Sequence, residues 1–276
     1  MKEHAHDDDD LGLVEDLQRL AAITGRRRAL QLLGGVGLLP LLAACTATEG
    51  GVQTGIETSP DGGTTTPESC SNVPEETAGP YPGDGSNGAN ALTMSGIVRS
   101  DIRSSFDTMS GTASGIPLTI KLQLVNTKDA CAPLEGYAIY LWHCDRDGKY
   151  SLYTIATENY LRGVQQTDAN GVVTFTSIFP AAYSGRWPHI HFEVYPSLAK
   201  ANAAGNKLKT SQLALPEAAC DAVYATAGYS ASISNMKQTS LSNDNVFRDG
   251  SSLQMAAVTG NVTDGYMATL VVGVAV

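Results

Sequence analysis

The chain has 276 residues, 42% of them hydrophobic and 17% charged, with 18 Lys and Arg against 28 Asp and Glu for a formal charge of −10. That length gives one large domain or two small ones. The acidic balance excludes a nucleic-acid partner, because phosphate contacts need clustered Lys and Arg.

In chain order, the first segment reads as an export signal. Thr24-Gly25-Arg26-Arg27-Arg28-Ala29-Leu30 looks like a twin-arginine motif. The apolar run that follows, Ala29 to Ala44, is 16 residues long and too short to cross a bilayer comfortably. It ends in Leu42-Ala43-Ala44-Cys45, which resembles a bacterial lipobox whose cysteine carries lipid after cleavage. Residues 1–44 are therefore expected to be discarded. Cys45 would be the only link to a membrane. Residues 45–69, rich in Thr, Gly, Ser and Pro, form a flexible tether. Residues 70–276 make one folded domain in an extracytoplasmic compartment. Four further cysteines, Cys70, Cys131, Cys144 and Cys220, read there as two disulfides, with three possible connectivities. A thiolate metal site would want a CxxC spacing, which is absent.

Beyond residue 92 the sequence breaks into short apolar or alternating runs. These are Ile116 to Val125, Tyr137 to Trp142, Val172 to Phe179, His189 to Tyr195, Thr210 to Leu215, Leu253 to Val258 and Tyr266 to Val276. Asp147-Gly148, Asn170-Gly171, Thr259-Gly260 and Asp264-Gly265 supply turn chemistry between them. The spacing predicts an all-β antiparallel sandwich with long loops, one core and little helix, the helix falling at Pro216 to Ala227.

His189-Ile190-His191 lies on one of the predicted strands. Alternation puts both imidazoles on one face, with Cα atoms roughly 6.6 Å apart, so both rings can converge on one metal ion. Two histidines rarely complete a site. A cupin would need another histidine downstream, and none follows His191. A zinc hydrolase could recruit Glu193, which alternation places on the same face. Tyrosines are the remaining source of ligands.

Leu134-Glu135-Gly136-Tyr137, then Trp142-His143-Cys144-Asp145-Arg146-Asp147-Gly148-Lys149-Tyr150-Ser151, resembles the signature of the intradiol ring-cleavage dioxygenases. Leu161-Arg162-Gly163 with Thr167-Asp168-Ala169-Asn170-Gly171 is similar to that family's next strand and turn. Pro180-Ala181-Ala182-Tyr183-Ser184-Gly185-Arg186-Trp187-Pro188-His189-Ile190-His191-Phe192 is similar to its metal-binding block. The resemblance runs from about Pro74 to Tyr224, with the motifs in family order. It implies one Fe(III) per chain, held by Tyr150 and His191 as equatorial ligands and Tyr183 and His189 as the axial pair. It also implies that Arg186 assists oxygen insertion, that Gln212 lies near the substrate, and that Gly79-Pro80-Tyr81 lines the substrate pocket. The substrates implied are a catechol-type ring and O2, and the product a muconate-type diacid. Tyr183 would leave the metal and act as base.

Two phenols suit that metal on physical grounds. A phenol has a pKa near ~10 and ligates at neutral pH only where a hard cation draws the proton off. Fe(II) oxygenases instead use two histidines and a carboxylate. Tyr137 and Tyr140 read as packing residues and His143 as a structural neighbour of Trp142. Tyr153 and Tyr160 could face the pocket. The short interval from Tyr183 to His189, with Gly185 in it, predicts a roomy and exposed pocket. A different class of function, a catalytically silent sandwich that binds carbohydrate or cell-wall polymer, would explain tether and fold but leave the ordered ligand motifs unexplained. Oligomeric state is not legible.

Overall fold

The computed structural model describes residues 70–276, so the expected signal segment, the tether and Cys45 lie outside the described residues. Alternation decides the strands. In β1 (Pro117–Asn126), Leu118, Ile120, Leu122 and Leu124 point inward and are fully or almost fully buried. β2 (Ala132–Pro133) and β5 (Val172–Ile178) pair antiparallel with β1. On β1's other side β9 (Gly265–Val274) runs parallel, and β8 (Ala257–Asn261) closes that edge. The second sheet has the order β4-β3-β6-β7, antiparallel throughout. Its strands are β3 (Ala138–Trp142), β4 (Arg162–Gln166), β6 (His189–Tyr195) and β7 (Lys209–Ala214). One core joins the sheets: β1, β5 and β9 side chains meet Ile139, Leu141, Ile190, Phe192, Val194 and Leu213. The protein is an all-β sandwich, as the spacing predicts.

The second sheet is buried on its other face as well. Residues from the long N-terminal segment, among them Ala91, Leu92, Ile97 and Phe106, pack over Tyr140, Trp142, Tyr150 and Tyr195 to form a smaller core. This explains why β3 and β6 are buried along their whole length. The polar side chains of β6 thus sit between the sheet and this N-terminal cover, and that is where the site forms.

Four expectations need correction. The helix at Glu217–Tyr224 (α1) is present, but a second, α2 (Ser230–Met236), follows it. Its sequence, SASISNM, has poor helix formers and no clear apolar stripe. Packing against α1 and a hydrogen bond from Ala182 N to the buried Ser232 Oγ hold it. The run from Leu253 to Val258 begins in a turn and an isolated bridge at Met255, with the strand starting only at Ala257; Thr259-Gly260 lies inside β8 rather than in a turn. Gly163, on β4, sits where a Cβ would lie 2.5 Å from Ile102 of the main core, so that core leaves no room there for a side chain. Finally, among the described residues the only disulfide is Cys70–Cys131. Cys144 and Cys220 are free and buried in different clusters, the smaller core and the main one, so no second bond forms. Burial pushes both thiols well above their ordinary range.

Candidate metal centre

β6 alternates as expected: Ile190, Phe192 and Val194 enter the main core, while His189 and His191 face the N-terminal cover. Trp142 lies opposite His191 on β3, and the two rings stack at 4.8 Å with 6° between their planes. Tyr150 arrives from the β3–β4 connection. There Asp145 Oδ1 accepts hydrogen bonds from the Asp147 and Lys149 backbone amides, each at 2.9 Å, and Tyr150 N donates to Thr154 Oγ1 at 2.8 Å. Tyr183 comes from the β5–β6 connection and is half-buried.

These four side chains converge. Tyr150 Oη lies 3.4 Å from Tyr183 Oη and 3.3 Å from His191 Nε2. Tyr183 Oη lies 3.3 Å from His189 Nε2, and the two histidine Nε2 atoms are 3.0 Å apart. The four atoms close a ring. Its phenol contacts are long for O–H hydrogen bonds, which centre near ~2.8 Å. They suit the edges of a coordination shell: a point equidistant from all four would lie about 2.0–2.3 Å from each, the length of a metal–oxygen or metal–nitrogen bond.

The protonation states agree with a metal. His189 Nδ1 sits 2.6 Å from the Trp187 carbonyl, which can only accept, so Nδ1 carries the proton and Nε2 presents a bare lone pair. Burial holds both imidazoles well below their usual pKa, with the Arg186 charge adding to it for His189, and the neighbouring His189 and Arg186 charges for His191. Burial, then the Tyr183 phenol, raises Tyr150 well above 10. Without a cation the phenol stays protonated. The donor set fits a hard trivalent ion. Nδ1 of His191 is buried with no hydrogen-bond partner.

Around the ring, Arg186 is 2% exposed and forms an ion pair with Asp244, Nε to Oδ2 at 3.0 Å. Its Nη2 donates to Gln212 Oε1 at 2.7 Å, and its Nη1 lies 3.4 Å from His189 Nε2. Gln212 in turn donates to the Thr77 carbonyl at 2.9 Å. Gly79, Pro80 and Tyr81 line a cleft with Ala78, Tyr150, Tyr183, Arg186 and His191. Gly79 has φ +69°, and a Cβ there would stand 3.5 Å from the His191 ring, so the backbone passes directly over the ligand. The cleft has a volume of about 170 Å³. The pocket is therefore narrow, not roomy, because Tyr81 lies over Tyr150 with ring centroids 5.0 Å apart.

The remaining candidates lie elsewhere. Glu193 shares the β6 face, yet Oε1 pairs with Lys207 at 2.7 Å and Oε2 accepts from Tyr195 at 2.7 Å, which spends both oxygens. His143 is structural: Nδ1 donates to the Cys144 carbonyl and Nε2 accepts from Ser177 Oγ, both at 2.7 Å. Tyr160 bonds to Asp145 at 3.1 Å, and Tyr153 to Asn87 at 2.6 Å, with its ring tilted against Tyr81. Two residues escaped the sequence reading. Arg162 ties Tyr81 and Pro82 to the Tyr150 loop through their carbonyls. Asp244 carried no local signal at all; its partner is 58 residues away.

Residues 97–203 match a family model described as "Dioxygenase". No curated protein matches the chain. Among solved structures, an intradiol ring-cleavage dioxygenase from Tetranychus urticae is 25% identical, with 75% of this chain and 95% of that one covered and a TM-score of 0.55. A second dioxygenase crystal structure is 26% identical over the same shares, with a TM-score of 0.56. The dioxygenase domain of a carbohydrate-binding fusion from the cellulolytic bacterium Streptomyces sp. SirexAA-E is 23% identical, covering 75% of this chain and 99% of that domain, with a TM-score of 0.47.

Proposed function

The chain belongs to the intradiol ring-cleavage dioxygenase family, and on that premise we propose that it is a ferric dioxygenase that opens catechol-type rings between the two hydroxyl-bearing carbons. The observation that carries this reading is the closed ring of two phenols and two neutral imidazoles, Tyr150, Tyr183, His189 and His191. A bound ferric ion would deprotonate the phenols, chelate the catechol and make the ring reactive towards O2. The protein's own groups do the rest. Tyr183, half-buried at the cleft, is the ligand with room to swing away and accept the proton of an incoming catechol. Tyr150, 2% exposed, stays in place. Arg186 presents a fixed positive charge beside His189 where negative charge develops during oxygen insertion. Ala78 to Tyr81 cover the ring of donors and keep water out. Export by the twin-arginine segment and a lipid at Cys45 would place this chemistry at the outer surface of a membrane.

The test combines colour, metal and product. Purified protein supplied with iron should bind about one Fe(III) per chain and absorb in the visible through tyrosinate charge transfer. Under labelled O2, both oxygen atoms should appear in a muconate-type diacid. A colourless zinc protein, or a semialdehyde product from cleavage outside the diol, would falsify the reading. Because the cleft is narrow, catechol should be turned over faster than catechols carrying bulky substituents.

A further inference from the structure

We propose that Asp244 is the positioning residue for Arg186: its carboxylate locks the guanidinium so that one edge faces the four-donor ring. This rests on the functional reading above. Asp244 is fully buried, near α2 and well outside the family-matched residues 97–203. Its two oxygens have separate tasks. Oδ1 accepts from the Val246 and Phe247 amides at 2.8 and 3.1 Å and holds its own turn. Oδ2 accepts from Arg186 Nε at 3.0 Å and from Trp187 N at 2.7 Å. Arg186 is thereby gripped at Nε by Asp244 and at Nη2 by Gln212, which leaves Nη1 turned to His189 Nε2.

The planar guanidinium makes this arrangement decisive. With two of its three nitrogens fixed on one side, rotation about every side-chain bond is removed and the third nitrogen has a single address. An arginine held this way acts in the transition state without first reorganising. Asp244 also compensates the charge of a guanidinium that is 2% exposed, which would otherwise be a costly burial. The same oxygen holds the Trp187 amide, one residue from Arg186 and two from His189, so the strand entry and the guanidinium are set together.

Asp244→Asn separates this role from a merely structural one. The asparagine oxygen can keep the turn to Val246 and Phe247, while its amide group turns a donor towards Arg186 Nε. The variant, Arg186→Gln and the double variant should be compared with wild type for iron content, melting temperature, kcat and KM. Asp244→Asn should keep its iron and lower kcat by about 10²-fold, the size expected when an oriented charge is lost. In the Arg186→Gln background the same change should lower kcat by less than about twofold. Equal losses in both backgrounds, or wild-type turnover in Asp244→Asn, would overturn the proposal. A second readout needs no metal. In iron-free wild type the Arg186 Nε–H proton should give a sharp, slowly exchanging 15N-correlated signal, lost in Asp244→Asn; an unchanged signal also overturns the proposal. Should Asp244→Asn not fold, Asp244→Glu, which displaces the carboxylate but keeps its charge, is read in the same two ways. If wild type shows no ring cleavage, the functional reading fails, whereas the iron-free signal still decides the role of Asp244.

Discussion

Arg162 shows how much a single side chain does here. It is 1% exposed, and its guanidinium donates five hydrogen bonds: to Ser151 Oγ and O, Pro82 O, Tyr81 O and Tyr140 Oη. It joins β4, the Tyr150 loop and the segment over the cleft. Arg162→Met would leave buried carbonyls unpaired, and a destabilisation of about 3–5 kcal/mol is expected, read from urea unfolding. A loss below about 1 kcal/mol would mean that water satisfies those carbonyls. At the ring itself, Tyr150→Phe removes a buried phenol that no neighbour can replace, so iron binding should be lost while the fold persists. Tyr183→Phe should keep part of the iron and slow the proton-transfer step. Metal analysis of the folded variants separates the two cases; equal iron in both would show that the roles assigned to the tyrosines are wrong.

At the scale of elements, the disulfide matters most. Cys70–Cys131 ties the start of the N-terminal segment to the turn before β2, with a sequence separation of 61. Val73 N then donates to Gly273 O, and Glu76 N to Thr210 O, so the segment is stitched along β9 and β7 before it reaches the cleft. Closing a loop of that length restricts the unfolded chain by roughly 4 kcal/mol. Reduction should therefore lower the melting temperature by about 8–16 °C, since each kcal/mol moves a domain of this size by ~2–4 °C. Because the stitched segment carries Ala78 to Tyr81, KM for a catechol should rise on reduction more than kcat falls. Calorimetry and kinetics with and without reductant check both; an unchanged melting temperature would show that the β-bridges alone secure the segment.

For the molecule as a whole, buried neutral histidines set the response to acid. His143 is held down to about 4 by burial, and His189 and His191 lie well below their usual range. An unfolded histidine titrates near ~6.5. Below that pH the unfolded chain takes up protons that the folded chain refuses, so this stability is present above pH ~6.5 and drains away as pH falls. His143 alone contributes about 3 kcal/mol, complete by pH ~4. Two buried acids act in the opposite sense: Glu193 is raised to about 7, and Asp145 is raised as well, both by burial first. Their contribution is present at low pH and is lost as pH rises through their folded values. Three histidines outweigh two carboxyls between pH ~4.5 and ~6.5, so the iron-free protein should become less stable as it is acidified across that window. Urea midpoints at stepped pH test this, and His143→Gln should reduce the slope by roughly half, because Glu193 already offsets one of the three histidines. A flat profile would mean that the histidines are protonated in place.

The sequence by itself determined the sandwich and the four-donor centre. The sandwich rests on short-range pattern, inward alternation in Leu118 to Leu124 and β6 with turns at Asp147-Gly148 and Asn170-Gly171, which also puts His189 and His191 on one face; Tyr150 and Tyr183 are named by the resemblance to the intradiol dioxygenases. What lay beyond pattern needed the tertiary structure. Packing on α1 makes a helix of Ser230–Met236 against its propensity, and burial in separate cores keeps Cys144 from Cys220. Contact of the Tyr81 ring with Tyr150 narrows a cleft that loop length had suggested was wide. Asp244 reaches Arg186 only because the chain returns across the sheet after 58 residues, a contact set by the closing of the whole fold and by no local rule.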